Sequence, residues 1–558
     1  MPASTVTSTQ KAVWLLGWAL LMWLAVFWRL GQPTFWDPDE AHYAVTTREL
    51  LVSGDWLAPT YNHQPFFDKP ILFHQLQGIA MTLVGINEFG ARLVPALSSA
   101  ALIGIAWWLA TTLGSKDAAS VAALLLTASP GLAALARYAI IDSLFTAFLF
   151  GSASVLAVAA LTDRRRLQWL GYVLLALAVM TKGPVGLALV GLTFIVGLAV
   201  SRDVRQRLLL LNWVRGVALV LVLAAPWFIY MYLRFGQAFV QGYILDENLL
   251  LFSRPPYANQ PGPTFYLQII AVGMLPWTPV LLGRLWDRAR AAARGEKAPT
   301  VEVLLWVWTA TVLAFFSASQ FKLDHYIFPV APALCVLCGL ACSDALQHGA
   351  DRRHLGVLGG LRLIGPILVI GGIAVGIALR QFDLPMVAWT VPVVWCGLGL
   401  VHTVRGARAA KDAAVVTAAA FGTFYLIAVG VILPRIEEQK VVADVGRWVV
   451  SQTTTETQVC SYRLNRWNNS LLFYAERQVT ITDEPERVRS LTSAGTPYLC
   501  VMTASARDEL TARGMDLPVL YQRDGLWATS GRALRRSRGA LTSFVVTGRT
   551  DATGAPPR

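Results

Sequence analysis

Trp36-Asp37-Pro38-Asp39-Glu40-Ala41-His42-Tyr43 follows directly on the first long apolar run of the chain, residues 12–30. Three carboxylates therefore stand within four residues at the mouth of a membrane-length segment. Charge beside lipid is costly to solvate, so acids at such a boundary are functional candidates by default. The apolar run itself has the look of a signal peptide. No small-residue cleavage site follows it, since Phe35-Trp36-Asp37-Pro38 is a poor one, and it reads as an uncleaved anchor.

Outward from this stretch the chain stays apolar. Of 558 residues 55% are hydrophobic and 15% charged, and mean hydropathy is +0.51. Soluble chains carry about 25% charge. Twenty Trp and 15 Tyr suit interfacial aromatic belts. A span needs roughly 20 apolar residues. Breaks at charge and Pro/Gly clusters predict thirteen, near 12–30, 92–113, 119–136, 140–161, 167–181, 184–201, 213–233, 265–283, 301–318, 326–345, 357–379, 387–404 and 414–433. Segment 71–87 holds His74, Gln75 and Gln77 and reads as an interfacial or re-entrant helix.

With the N-terminus in the cytoplasm, every basic cluster between spans falls on one side. These include Arg164-Arg165-Arg166, Arg284 to Lys297, Arg352-Arg353 and Arg405 to Lys411, in keeping with the positive-inside rule. That placement accounts for much of the net charge of +13 without nucleic acid. The other side carries loops 31–91 and 234–264 and the tail. The expected division is a catalytic membrane unit, 1–433, and a small soluble α/β domain, 434–558. In the tail, strand-like runs at Thr457–Tyr462, Val479–Thr482, Tyr498–Met502 and Val519–Tyr521 alternate with helical patterns at Val441–Ser451 and Glu484–Leu491. The fold class is an all-α polytopic membrane domain followed by that α/β domain.

Cys335, Cys338, Cys342 and Cys396 lie in apolar spans and read as small packing residues. Cys460 and Cys500, in the tail, are a candidate pair. No Walker A, Rossmann or Ser/His/Asp signature occurs, so ATP-driven transport has no support. Four outer His, at 42, 63, 74 and 325, make no metal spacing.

A few basic residues defy the positive-inside bias: Arg48, Lys69, Arg92, Arg137, Lys182, Arg234, Arg254, Lys322 and Arg380. The natural anion at that surface is a lipid phosphate, which Lys and Arg hold by charge-assisted hydrogen bonds. Lys69, Arg254 and Lys322, with Tyr326, are the phosphate candidates. Snorkelling accounts for Arg234 and Arg380. For Arg48, Arg92 and Arg137 a structural ion pair competes with a ligand role, and Lys182 reads as a cap of a short helix. Asp39 is the candidate general base, against an alternative as N-cap of a helix starting at Glu40. Glu40 is its supporting acid and Asp37 a turn residue. Asp142 tops a span, where it orients a base or a cation, or caps the helix after it. Asp68 is the weak candidate for a divalent cation, since hard oxygen sites want several ligands.

These residues carry a resemblance. Trp36 to Tyr43, then Gly54-Asp55-Trp56-Leu57-Ala58-Pro59, Phe67-Asp68-Lys69-Pro70, Ala136-Arg137-Tyr138 with Asp142, Met180-Thr181-Lys182-Gly183-Pro184, Leu275-Pro276-Trp277 and Lys322-Leu323-Asp324-His325-Tyr326 recur in order over residues 12–345. The sequence resembles the GT-C glycosyltransferases of the protein-mannosyltransferase-like superfamily, and within them the bacterial aminoarabinose lipid A transferases. The resemblance implies an inverting transfer of 4-amino-4-deoxy-L-arabinose from undecaprenyl phosphate to a lipid A phosphate at the periplasmic face of the inner membrane. It implies Asp39 as base, Asp142 as second acid, and Lys69, Arg254, Lys322 and Tyr326 on the donor phosphate. Alternatives are the same chemistry on another envelope glycan or on protein, or a flippase for a lipid-linked saccharide. Two positions depart from the pattern. Asp68 replaces the Glu of Phe-Glu-Lys-Pro, and Tyr257-Ala258-Asn259-Gln260 lacks a loop His. The resemblance associates both positions with a bound metal, so a divalent metal ion is the one cofactor left open.

Overall fold

The structure, a computed structural model, describes residues 8–254, 260–347, 352–382, 384–405, 410–454, 456–464, 469–527 and 541–549. Each of the thirteen predicted spans falls on helix. Eight are long and apolar enough to cross a membrane unaided, and ten with two bent pairs. Three more, Ala12–Phe27, Val185–Val200 and Gln168–Lys182, are shorter. The run predicted at 119–136 breaks at Ser129-Pro130 into Lys116–Ala128 and Pro130–Ala136, bent by 61°. Ser129 accepts a hydrogen bond from the amide of Leu132 and Pro130 opens the second helix, so the sequence itself dictates the break. The run predicted at 265–283 likewise divides into Phe265–Gly273 and Thr278–Ala293, at 107°. The chain is a multi-pass membrane protein.

Loop 31–91 is ordered by two helices, α1 (Asp39–Ser53) and α2 (Leu72–Val84). Between them a small hairpin pairs β1 (Thr60–Tyr61) with β2 (Gln64–Pro65). Its turn residues Asn62 and His63 have φ of 49° and 62°, the left-handed turn that matches strand twist and that Asn tolerates. With 13 residues α2 is too short to span, as its polar residues foretold. His74 and Gln77 are buried against Thr47 of α1, at 2.9 and 2.5 Å, instead of facing lipid. Two membrane helices frame the site from below, α3 (Asp142–Leu161) and α4 (Gln168–Lys182).

In the tail the four expected strands appear as β3 (Gln458–Tyr462), β4 (Thr480–Thr482), β5 (Tyr498–Thr503) and β6 (Val519–Gly525). Sequence reasoning missed β7 (Thr542–Arg549) and a short helix, α5 (Asn469–Tyr474). The sheet order is β4-β3-β5-β7-β6, parallel among β3, β4 and β5 and antiparallel around β7. Cys460 and Cys500 face each other in register on β3 and β5, and both thiols are free. The tail does not hang clear of the membrane unit. Phe35, Ala41, Ala44 and Val45 share one apolar core with Val442, Leu471, Leu472 and Phe473.

Candidate active site

Pro38, with its fixed φ, and the acids Asp39 and Glu40 in the first turn make a favourable helix start. The helix begins at Asp39, not Glu40, with Pro38 as cap residue and no side-chain cap. The capping role considered for Asp39 is therefore not realised. At its other end Gly54 takes φ 71° and closes α1 with a bond from its amide to Leu50 O.

The three acids of the opening stretch meet three fates. Glu40 is fully buried and paired with Arg92 at 2.6 and 2.9 Å. It also accepts from the amides of Trp36 and Ala139, both at 3.0 Å. With four donors on two oxygens it is a tie between α1 and its surroundings, and the supporting part in catalysis expected of it is corrected to that structural one. Asp37, expected in turn chemistry, accepts from the Ser470 amide at 2.8 Å and from the Ser470 hydroxyl, so it holds the tail. Asp39 alone has no hydrogen-bond partner among the described residues and lines a cavity of ≈ 530 Å³. Burial raises its carboxyl above the usual range. His325 and Lys69 oppose that rise, while Asp142 and Asp324 add to it.

The Asp39 cavity is polar at one end, where Tyr138, Asp324 and His325 join it, and apolar along walls such as Ile270 and Phe328. A second cavity of ≈ 120 Å³ is lined by Lys69, Lys182, Glu247, Asn248, Ser319 and Tyr326. Asp142 links the two. It sits 2.6 Å from Nζ of Lys182, in the second cavity, and 3.6 Å from Nε2 of His325, in the first. The expected helix-cap role of Asp142 is absent. The reading of Lys182 as a helix cap is corrected too. Its ammonium bonds Asp142 and stands 4.3 Å from the ring centroid of Tyr326, a cation–π contact.

Lys69 Nζ donates to Glu247 at 2.7 Å and to Asp68 O at 3.0 Å. Burial works against its charge, but Glu247 and Asp68 outweigh it and hold the ammonium above its ordinary value. His42 is pushed down to about 4 by burial and by Lys69, so it is neutral near pH 7. The remaining phosphate candidates divide. Tyr326 lines the second cavity with Lys69. Lys322 does not enter it, because its Nζ turns back onto Ser319 O. Arg254 is exposed, two residues beyond Phe252 of the cavity wall, and does not line the cavity. Tyr257, Ala258 and Asn259 lie outside the described residues, and Gln260 Oε1 accepts from the Lys322 amide at 3.2 Å.

Around Asp68 the donor set does not fit a divalent cation. Burial and Glu247 push Asp68 up to about 6, and the nearby Lys69 ammonium already occupies Glu247. Among the described residues no group of three His, Cys, Asp or Glu is placed to hold a metal. Of the remaining outer basics, Arg92 forms the ion pair, Arg48 donates to Leu472 O and Phe473 O, and Arg137 donates to Trp28 O. Sequence reasoning missed Lys182, Glu247 and His325 as members of the cluster. Lys182 and His325 shared a signal of position, as charged or titratable groups at helix ends, whereas Glu247 lies within a helix and carried none.

A helical membrane unit with an unpaired acid and lysine-lined pocket at one face, under an ordered loop, defines a polytopic glycosyltransferase of the GT-C architecture. Residues 16–239 match the family described as dolichyl-phosphate-mannose-protein mannosyltransferase. An undecaprenyl phosphate-alpha-4-amino-4-deoxy-L-arabinose arabinosyl transferase of Pseudomonas aeruginosa is 30% identical over 399 residues, 65% of this chain and 70% of that protein. The chain belongs to that arabinosyl transferase family. An uncharacterized protein of Aquifex aeolicus is 26% identical over 81% of this chain and 85% of its own. In fold, the chain superposes on crystalline ArnT from Cupriavidus metallidurans bound to undecaprenyl phosphate, with TM-score 0.75 at 22% identity over 99% of this chain and 100% of that one.

Proposed function

We propose that the protein moves 4-amino-4-deoxy-L-arabinose from undecaprenyl phosphate to a phosphate of lipid A at the periplasmic face of the bacterial inner membrane. The observation that carries this reading is the unpartnered Asp39 carboxylate in an apolar-walled cavity, one residue cluster away from a pocket lined by two lysines. The names of the relatives supply the sugar and the carrier. The catalytic unit is residues 1–433 and the tail, 434–558, is its soluble α/β partner.

The donor's phosphate sits against Lys69, Lys182 and Tyr326, with Arg254 joining them from the chain beyond Phe252. These groups stabilise the charge that develops on the leaving phosphate. The acceptor oxygen approaches from the Asp39 cavity, on the opposite side of the sugar. Its lone pair forms the new bond to the anomeric carbon as the carbon–oxygen bond to the carrier breaks, and undecaprenyl phosphate keeps that electron pair. Configuration inverts. Asp39 takes the acceptor's proton where it carries one and orients the oxygen where the acceptor phosphate is already ionised. Asp142 holds Lys182 and His325 in place between the two cavities. Mass spectrometry of lipid A from cells with and without the protein tests the reading. A gain of one aminoarabinose supports it. Unchanged lipid A with sugar appearing on another glycan or on protein overturns the acceptor, and sugar moved across the membrane but left on its carrier overturns transfer.

A further inference from the structure

The tail reaches the catalytic stretch through two adjacent residues of α5. The Asn469 side-chain amide donates to Pro38 O at 2.9 Å. Ser470 donates both its amide, at 2.8 Å, and its hydroxyl to the fully buried Asp37 carboxyl group. On the other side of Asp39, Glu40 is locked by Arg92. Asp39 thus projects from a backbone clamped at 37–38 by the tail and at 40 by the membrane unit, while its own carboxylate has no hydrogen bond among the described residues. A side chain with no partner takes its position from its backbone, and an error of about 1 Å in such a group costs up to about a hundredfold in rate.

We propose that Asn469 and Ser470 are positioning residues for the transfer: by holding Asp37 and the Pro38 carbonyl they set where the Asp39 carboxylate stands in its cavity. The inference rests on Asp39 acting as the base. General docking of the tail is carried elsewhere. Arg48 donates to Leu472 O and Phe473 O, and the Tyr474 hydroxyl accepts from the Phe35 amide at 2.9 Å and donates to Glu88 at 2.7 Å. Lys440 holds Thr34 O and Phe35 O, and Asn62 exchanges two bonds with Val479, at 3.1 and 3.3 Å. Removing the Ser470 hydroxyl leaves all of these in place.

The test uses the full chain in lipid nanodiscs with undecaprenyl-phosphate aminoarabinose as donor and lipid A as acceptor. Ser470→Ala is expected to lower kcat about tenfold, with donor KM within about twofold and an unchanged melting temperature. Ser470→Thr restores kcat, and Asn62→Gly, which cuts the docking contact to Val479 and leaves the Ser470–Asp37 bonds intact, keeps the wild-type kcat. Wild-type kcat in Ser470→Ala overturns the proposal, as does an equal fall in Asn62→Gly. In an Asp39→Asn background Ser470→Ala should have no further effect, and a second tenfold loss there overturns the action through Asp39. An Asp39→Asn enzyme that is fully active removes the base reading itself. That failure is told apart because it appears with Ser470 intact.

Discussion

Two clusters of buried charge lie at opposite ends of the helix Thr300–Ala318, and they differ in what they leave free. At its start Glu302 takes four donor bonds, two from Arg284 at 2.9 and 2.8 Å and two from Arg288 at 2.9 and 2.6 Å, and Arg284 also reaches Asp344. No cavity is lined by Arg284 or Glu302 among those described. Past its other end, Asp142 has one close cation, His325 stands 3.6 Å off, and the nearby Asp39 has no hydrogen-bond partner among the described residues. Asp39 borders open space, and Asp142 touches Lys182 and His325, which line the two cavities. Charge at membrane level is thus not itself the mark of function. The mark is charge whose lone pairs are unfilled and face a cavity. The same contrast recurs within two residues of α1, where Glu40 is saturated and Asp39 is not.

Replacing one acid from each cluster is the strongest way to break this contrast. Asp39→Asn keeps the shape and removes the basicity, and turnover is expected to fall by about 10²–10⁴ while the protein stays folded and still binds donor. Glu302→Gln should do the reverse. It leaves buried Arg284 with Asp344 as its one remaining carboxylate, a loss of about 1.5–3 kcal/mol, read as a lower melting temperature in detergent, with turnover per folded molecule unchanged. An unfolded Asp39→Asn or a folded but inactive Glu302→Gln would erase the distinction.

Gly183 offers a smaller effect on the site side alone. It follows Lys182 with φ 90°, and a Cβ there would meet the Tyr243 hydroxyl. Tyr243 cannot easily yield, since its ring stacks on Phe239 at 5.3 Å and 3°. Gly183→Ala should cost about 1–3 kcal/mol in stability and shift Lys182 off Asp142, raising donor KM severalfold more than it lowers kcat. Steady-state kinetics with varied donor checks this, and an unchanged KM would place Lys182 outside the donor pocket.

The helices, their rough ends and the chemistry of the outer loop were legible because each rests on a local signal. Apolar length marks spans, and Pro38 with two acids marks the start of α1. The bends at Ser129-Pro130 and Leu275-Pro276 were legible as punctuation yet were read through, since hydropathy averaged over a window ignores them. Partner choice was not legible. Glu40 and Asp39 are adjacent acids with the same local propensities, and only Arg92, 52 residues further on, separates their roles. Lys182 and Asp142 are joined the same way across 40 residues. α5 carried no signal of its own. Its six residues form a helix because Leu471, Leu472 and Phe473 bury against the stretch they help to hold.

Asp37 sharpens the contrast further, with the smallest effect. Like Glu302 it is buried and saturated, but its donors on Ser470 are neutral dipoles where those of Glu302 are guanidinium groups. Burial pushes its carboxyl up to about 8, against the two Ser470 bonds and the nearby Lys440. In the unfolded chain an Asp titrates near 3.9. The folded form therefore keeps a proton that the unfolded form gives up. Its stabilisation is full below about 4 and is lost as pH rises toward about 8. Between pH 6 and pH 8 the wild-type melting temperature should fall, and Asp37→Asn, which mimics the protonated group and can still accept the Ser470 amide, should flatten that slope. Identical slopes in the two proteins would place the titration elsewhere. A flattened slope would show that Asp37, an acid held by dipoles, is the group through which pH reaches the clamp on Asp39.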